Sequence, residues 1–235
     1  MKLRPALTIL AVAAMGVLLF LPKSATAQEP VTLQSLDFDC LQTILRNCEV
    51  LTAGYINVDS GDYEGAPMLA WQTQSGFTHD DGVLGGFVLF QFGDDGWELL
   101  DSGFDGARFQ LPAVNEDGLL HLPGYSGGTG AYNVDRLYQW GDTGGALYKE
   151  AWNAIDIESW LADIGQMLPP GLEIWKGVDY DFENPWSGLV ARTALWRADD
   201  GNCCPTGGSA VITFDIVDRA LVATGVTYSP PAPPQ

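Results

Sequence analysis

The amino-acid sequence predicts a mainly β fold of the α+β kind: antiparallel sheets with hairpins, one clear amphipathic helix, and a disulfide-stapled frame. Three observations carry that prediction. Turn chemistry recurs at short intervals, as DSG at 59–61, DDG at 80–82, GDDG at 93–96, DG at 105–106, EDG at 116–118, GD at 141–142 and DDG at 199–201; Gly and Asp at this density mark tight turns. Between them lie short apolar runs such as FVLFQF at 87–92 and LLHL at 119–122, the composition of strands joined by hairpins. A clear apolar repeat of three and four residues is confined to 157–168, which marks the one helix.

Taken in order, the chain opens with the basic stretch MKLR, an apolar run over about 6–21 and ATA at 25–27. This is the pattern of a cleaved secretory leader, so residues 1–27 are read as a signal peptide and Gln28 as the mature N-terminus. The apolar run is short for a bilayer span, and no second one follows. The expected location is periplasmic or secreted, with no membrane span after leader cleavage. A second helix is expected over 36–45, where Leu36, Cys40, Leu41 and Ile44 share a face. From there to the middle of the chain the pattern is strand and turn.

The helix at 157–168 places Ile157, Trp160, Leu161, Ile164 and Leu168 on one side, with Asp156 as N-cap and PPG at 169–171 as the stop. Three strand-length segments follow at 189–197, 209–217 and 220–228. In the second, Ala210, Ile212, Phe214 and Ile216 alternate with Thr213 and Asp215, so a meander with one buried face is expected. Residues 28–228 form the mature mainly-β domain, with any boundary between subdomains near 141–155, and SPPAPPQ at 229–235 is an extended Pro-rich tail.

Charge sets the class of partner. The chain carries 30 acidic and 11 basic residues, a net charge of −19, and Lys2, Arg4 and Lys23 leave with the leader. Such a field repels phosphate backbones, which excludes nucleic acid. It suits a solvated exported surface, or recruitment of a basic envelope protein.

The four cysteines are Cys40, Cys48, Cys203 and Cys204. An even number in an oxidising compartment implies two disulfides. Two arrangements stay open: Cys40 with Cys48 and Cys203 with Cys204, or two bridges tying the N-terminal segment to the last hairpin. Adjacent residues lie about 3.8 Å apart at Cα, below the usual disulfide range, so a vicinal bond is strained. The flanking turn residues Asp200, Gly201, Asn202, Pro205, Thr206, Gly207 and Gly208 allow the backbone it needs. The spacing is neither Cys-x-x-Cys nor that of a zinc site. The pair is read as a shape-setting staple, and neither metal nor cofactor is expected.

GYSGG at 124–128 matches the G-x-S-x-G pattern of serine hydrolases, yet the two histidines, His79 and His121, both precede Ser126; an α/β-hydrolase places its histidine after the serine. The loop is read instead as a binding surface, with Tyr125, Ser126, Tyr132 and Arg136 offering stacking, hydrogen bonding and charge, and the cysteine loop 200–208 as a second candidate. Of the tryptophans, Trp160 belongs to the helix's buried face, and Trp71, Trp97, Trp175 and Trp196 sit in strand-like runs where core packing explains them.

GLEIWKGV at 171–178, LWR at 195–197 and NCCPTGG at 202–208 together resemble the C-terminal signature of a group of exported bacterial proteins with no established activity. The resemblance covers about residues 119–228. It implies export and fold, and carries no mechanism. The expected function is therefore a non-enzymatic binding or structural role in the envelope or outside the cell, with a glycan or a basic envelope protein as partner. Two rivals are a hydrolase using Ser126 or an unidentified carboxylate pair, and an acidic inhibitor or partner of a basic cell-wall enzyme such as lysozyme.

Overall fold

A computed structural model describes residues 31–57, 66–78, 82–104, 106–115, 117–126, 132–142, 150–183 and 188–232. The expected leader, His79 and residues 127–131 of the glycine-rich loop lie outside the described residues. Among the described residues, no helix is long and apolar enough to cross a membrane.

The fold is mainly β and antiparallel. Helix α1 (Leu33–Phe38) precedes a meander of β1 (Arg46–Ile56), β2 (Leu69–Thr78), β3 (Gly82–Gly93) and β4 (Gly96–Gly103), paired in that order. A second sheet has the order β10-β9-β7-β6, built from β6 (Ala113–Val114), β7 (Leu119–Leu122), β9 (Arg136–Asp142) and β10 (Glu150–Ile155). Between β7 and β9 the chain steps out as β8 (Gly124–Tyr125) to pair with β5 (Arg108–Phe109). A third sheet is again a meander, β11 (Asp179–Asp181), β12 (Val190–Ala194), β13 (Ser209–Val217) and β14 (Ala220–Ser229).

The three sheets share two cores through the middle one. Leu69, Trp71, Phe87 and Leu89 of the first sheet pack with Leu120, Leu122, Tyr138 and Trp152 of the second. The neighbours Leu119 and Leu137 face the other way, joining Ile212, Phe214 and Leu221 of the third. Successive strand residues point to opposite faces, so LLHL is apolar on both sides because both sides are covered. FVLF has the same cause: Phe87 and Leu89 enter the core just described, while Val88 and Phe90 pack with Ala70, Leu36 and Val31 under the N-terminal segment.

Two asparagines tie the second sheet to the third. Asn133 accepts from the Val178 amide at 2.6 Å and donates to the Val178 carbonyl at 2.9 Å. Asn115 donates to the Phe182 carbonyl at 2.8 Å and accepts from the Asp117 and Leu119 amides. The stretch 141–155 includes β10, whose Trp152 enters one core and Ile155 the other.

The predicted amphipathic helix is corrected. Residues 157–168 form two 3-10 turns, Ser159–Ala162 and Ile164–Gln166. Their entry is stitched to β14: Asp156 exchanges main-chain bonds with Arg219 and Leu221, and the Ser159 hydroxyl donates to the Leu221 carbonyl at 2.5 Å. Pro169 and Pro170 close the exit, so the segment is pinned at both ends and tightens. Ile157, Trp160, Ile164 and Leu168 are buried as the spacing required, while Leu161 is 49% exposed. Three-residue spacing serves both helix types, which is how the right face came with the wrong helix.

The second predicted helix is also shifted. Helix α1 ends at Phe38, started by a capping box in which Thr32 and Ser35 bond reciprocally. Beyond it the Cys40–Cys48 disulfide closes a turn, and Ile44 is 68% exposed. Of the two pairings left open by sequence, the structure has Cys40–Cys48 with Cys203–Cys204.

Candidate functional site

The residues expected to bind are only partly gathered. Ser126 and Tyr132 close the base of the glycine-rich loop: the Tyr132 amide donates to Ser126 Oγ at 2.9 Å, and the Ser126 amide to the Tyr132 carbonyl at 3.0 Å. The Tyr132 side chain is 59% exposed. Tyr125 lies in β8 against Arg108 and bridges Asn133; burial raises its phenol pKa above the ordinary value, with Asp135 and Asp179 acting in the same direction.

Arg136 turns inward. Its Nη1 donates to the carbonyls of Val134 and Asp135, its guanidinium lies 5.8 Å from the centre of the Phe87 ring, and its Nε is 4.0 Å from Asp101 Oδ2. It lines a cavity of about 230 Å³ with Asp101, Asp135, Tyr138, Asp156 and Glu158.

His121 is buried, its Nε2 2.7 Å from Asp135 Oδ1, and Asp135 also accepts from Asn133. Phe182 and Tyr180 stack edge-on against the imidazole. This pair thus ties β7 to the start of β9, while Ser126 Oγ accepts from the Tyr132 amide. Among the described residues, no three His, Cys, Asp or Glu side chains gather as a metal site requires.

A second constellation is built around the cysteine pair, and it draws together three segments far apart in sequence. Glu173 and Trp196 exchange main-chain bonds of 3.0 and 2.9 Å. On the other side of the same segment, the Gly207 amide donates to the Leu195 carbonyl and the Leu195 amide to the Gly208 carbonyl, each at 2.9 Å. The close approach demands glycine: a Cβ on Gly207 would sit 2.6 Å from the Leu195 oxygen and 2.8 Å from Leu172 Cδ2. Gly208 has φ +89°, where residues with side chains are strained.

The loop leaving this frame is keyed by Asp200. Its Oδ2 accepts from the Arg197 amide at 2.7 Å and the Thr206 amide at 2.8 Å, and its Oδ1 from the Thr206 hydroxyl at 2.6 Å. Those bonds favour the carboxylate and lower its pKa, the Arg197 amide contributing most. The Cys204 amide donates to the Gly201 carbonyl at 3.0 Å.

Outward from this frame stand Glu173, Trp175, Arg197 and the Cys203–Cys204 pair, all exposed. Trp196 is buried beneath, with the Lys176 ammonium 6.0 Å from its ring centre. Trp175 is 54% exposed, so core packing, expected from its strand-like context, does not explain it. Sequence reasoning also missed Asp200 as an organiser; DDG at 199–201 marks a turn without saying that a threonine six residues on completes it.

A groove of about 600 Å³ lies between Leu51 and Thr52 of β1 and the segment Gln110, Leu111, Pro112. None of the residues expected to bind lines it. Comparison of the chain with protein-family models, with curated proteins and with solved structures finds no match.

Proposed function

We propose that this chain is an exported, non-enzymatic glycan-binding protein whose recognition surface is the corner formed by residues 172–176 and 195–208. The observation that carries this reading is Trp175: an indole 54% exposed on a segment fixed by the Glu173–Trp196 main-chain pair. A rigid exposed aromatic is an anchor that gives contact area at little cost in conformational entropy. Sugar rings stack on such faces, and the exposed Glu173, Arg197, Asp199 and Thr206 supply the donors and acceptors that hydroxyl groups need.

The test is a titration of the mature chain with soluble cell-wall oligosaccharides, followed by tryptophan fluorescence. A saturable change that disappears in Trp175→Ala and survives in Tyr132→Ala supports the reading. A saturable change unaltered by Trp175→Ala moves the site elsewhere, and no saturable change with any glycan removes it.

A second reading, association with a basic envelope protein, is favoured by the net charge of −19. Recruitment by that field weakens as salt is added, so affinity for a basic partner that is indifferent to ionic strength counts against it.

A further inference from the structure

We propose that Cys203–Cys204 is a reversible thiol–disulfide exchange site, open to a dithiol reductant of the exported compartment, and not a staple of the fold. The inference goes beyond glycan binding and stands without it.

Four features support the assignment. Both cysteines are exposed, whereas Cys40 and Cys48 are half-buried and Cys48 Sγ lies 3.4 Å from Gln74 Oε1. A reductant therefore reaches the vicinal pair first. The bond also closes a ring across a single peptide, so it removes little freedom from the unfolded chain, whereas the Cys40–Cys48 bond spans eight residues of sequence. As a staple it has almost nothing to hold.

The third feature is the Cα separation of 3.8 Å, fixed by the peptide bond and shorter than the span an unstrained disulfide takes up; ring closure at that distance makes a bond easier to reduce. The fourth is Asp200. Its three hydrogen bonds to Arg197 and Thr206, with the Cys204 amide on the Gly201 carbonyl, frame the loop without the sulfurs. The loop keeps its shape with the bond open, as repeated cycling requires.

A thiolate of the reductant bonds to one sulfur of the pair, and the other sulfur leaves as a thiolate and takes a proton. The reductant's second thiolate then attacks the mixed disulfide. The reductant departs as a disulfide and this chain holds two thiols, having gained two electrons and two protons.

The experiment equilibrates the full mature chain in graded mixtures of reduced and oxidised dithiothreitol, alkylates free thiols, and locates the label by peptide mass spectrometry. Cys203 and Cys204 are expected to be half labelled at a reduced-to-oxidised ratio at least tenfold lower than Cys40 and Cys48 need, with the β-sheet circular dichroism intact and the bond reforming on addition of oxidant. Simultaneous opening of both bonds, or opening of the vicinal pair only in denaturant, overturns the inference. So does failure of the Cys203→Ser, Cys204→Ser double variant to fold. No glycan enters any of these measurements, so their failure is distinct from failure of the binding proposal.

Discussion

The side-chain amide of Gln72 donates to the carbonyl of Leu36 at 2.6 Å, from a glutamine with no exposed surface at all. The same nitrogen donates to the Asp39 carbonyl at 2.9 Å, while Gln72 Oε1 accepts from the Leu41 amide and from Gln74 Nε2. Gln74 adds a bond to the Leu41 carbonyl at 2.8 Å. Two glutamines on a buried strand thus take up the polar groups that α1 leaves unpaired where it ends, and add to the apolar packing of Val31 and Leu36 in holding the segment against the first sheet.

From this follows a prediction for Gln72→Leu. The substitution roughly keeps the volume and orphans the buried Leu36 carbonyl, at about 1–3 kcal/mol, together with the Asp39 carbonyl and the Leu41 amide, which are only part-buried and cost less because water reaches them. A stability loss of roughly 2–4 kcal/mol is expected in urea unfolding, together with faster hydrogen exchange across residues 33–45. Loss without local exchange at that segment would show that Gln72 does not act as its latch.

The two disulfides separate in their effect on stability. Removing Cys40–Cys48 by double alanine substitution is expected to cost about 2–3 kcal/mol, from the loop it closes in the unfolded chain, and removing Cys203–Cys204 about 1 kcal/mol or less. Thermal unfolding of the two double variants measures the difference. Equal losses would mean that loop closure does not govern either bond.

Particular residues show what could be read from sequence. Strand β13 matches its expected bounds because Ala210, Ile212 and Phe214 are buried and Thr213 and Asp215 exposed; a sheet with one wet face writes a period of two into its composition. The middle sheet writes no such period, since Leu119 and Leu120 serve different cores. Gln72 and Gln74 were invisible because their partners are main-chain atoms more than thirty residues away. At the candidate site the cysteine doublet and its glycines were legible, as local turn chemistry. The pairing of Glu173 with Trp196 was not, for it is fixed by how the third sheet folds back on itself, and so Trp175 read as core.

Asp200 gives the cysteine loop a dependence on acid. Its folded-state pKa lies below the ordinary 3.8, so the folded loop prefers the charged form. The stabilising contribution is fully present above the unfolded value and is lost as pH falls through the folded value, a window that opens below about pH 3.8. Hydrogen exchange at the Arg197 and Thr206 amides, corrected for intrinsic rates, should accelerate in that window. Asp200→Asn should show the faster exchange at neutral pH and no further acid step. An acid step that persists in the variant would assign the titration to another group.

Tyr138 provides the opposite sign at the alkaline end. Its ring is buried between β9 and the first sheet, and its hydroxyl donates to Asp101 Oδ2. Burial raises its pKa well above the ordinary 10.0, the hydrogen bond to the Asp101 carboxylate raises it further, and Arg136 opposes them. Tyr180, bonded to the Trp160 indole, is raised as well, chiefly by burial. A folded pKa above the unfolded value means that folding stability is complete below about pH 10 and declines as pH rises past it, because the unfolded chain ionises first. Tyr138→Phe removes one hydrogen bond to a charged acceptor, worth about 1.5–3 kcal/mol at pH 8, and with it one of the groups responsible for the alkaline decline. Urea unfolding at pH 8, 10 and 11 therefore has two expected outcomes in the variant: lower stability at pH 8 and a shallower fall between pH 10 and 11. A variant as steep as the parent would show that Tyr138 ionises to the same extent in the folded and unfolded states over that range and that other groups set the decline.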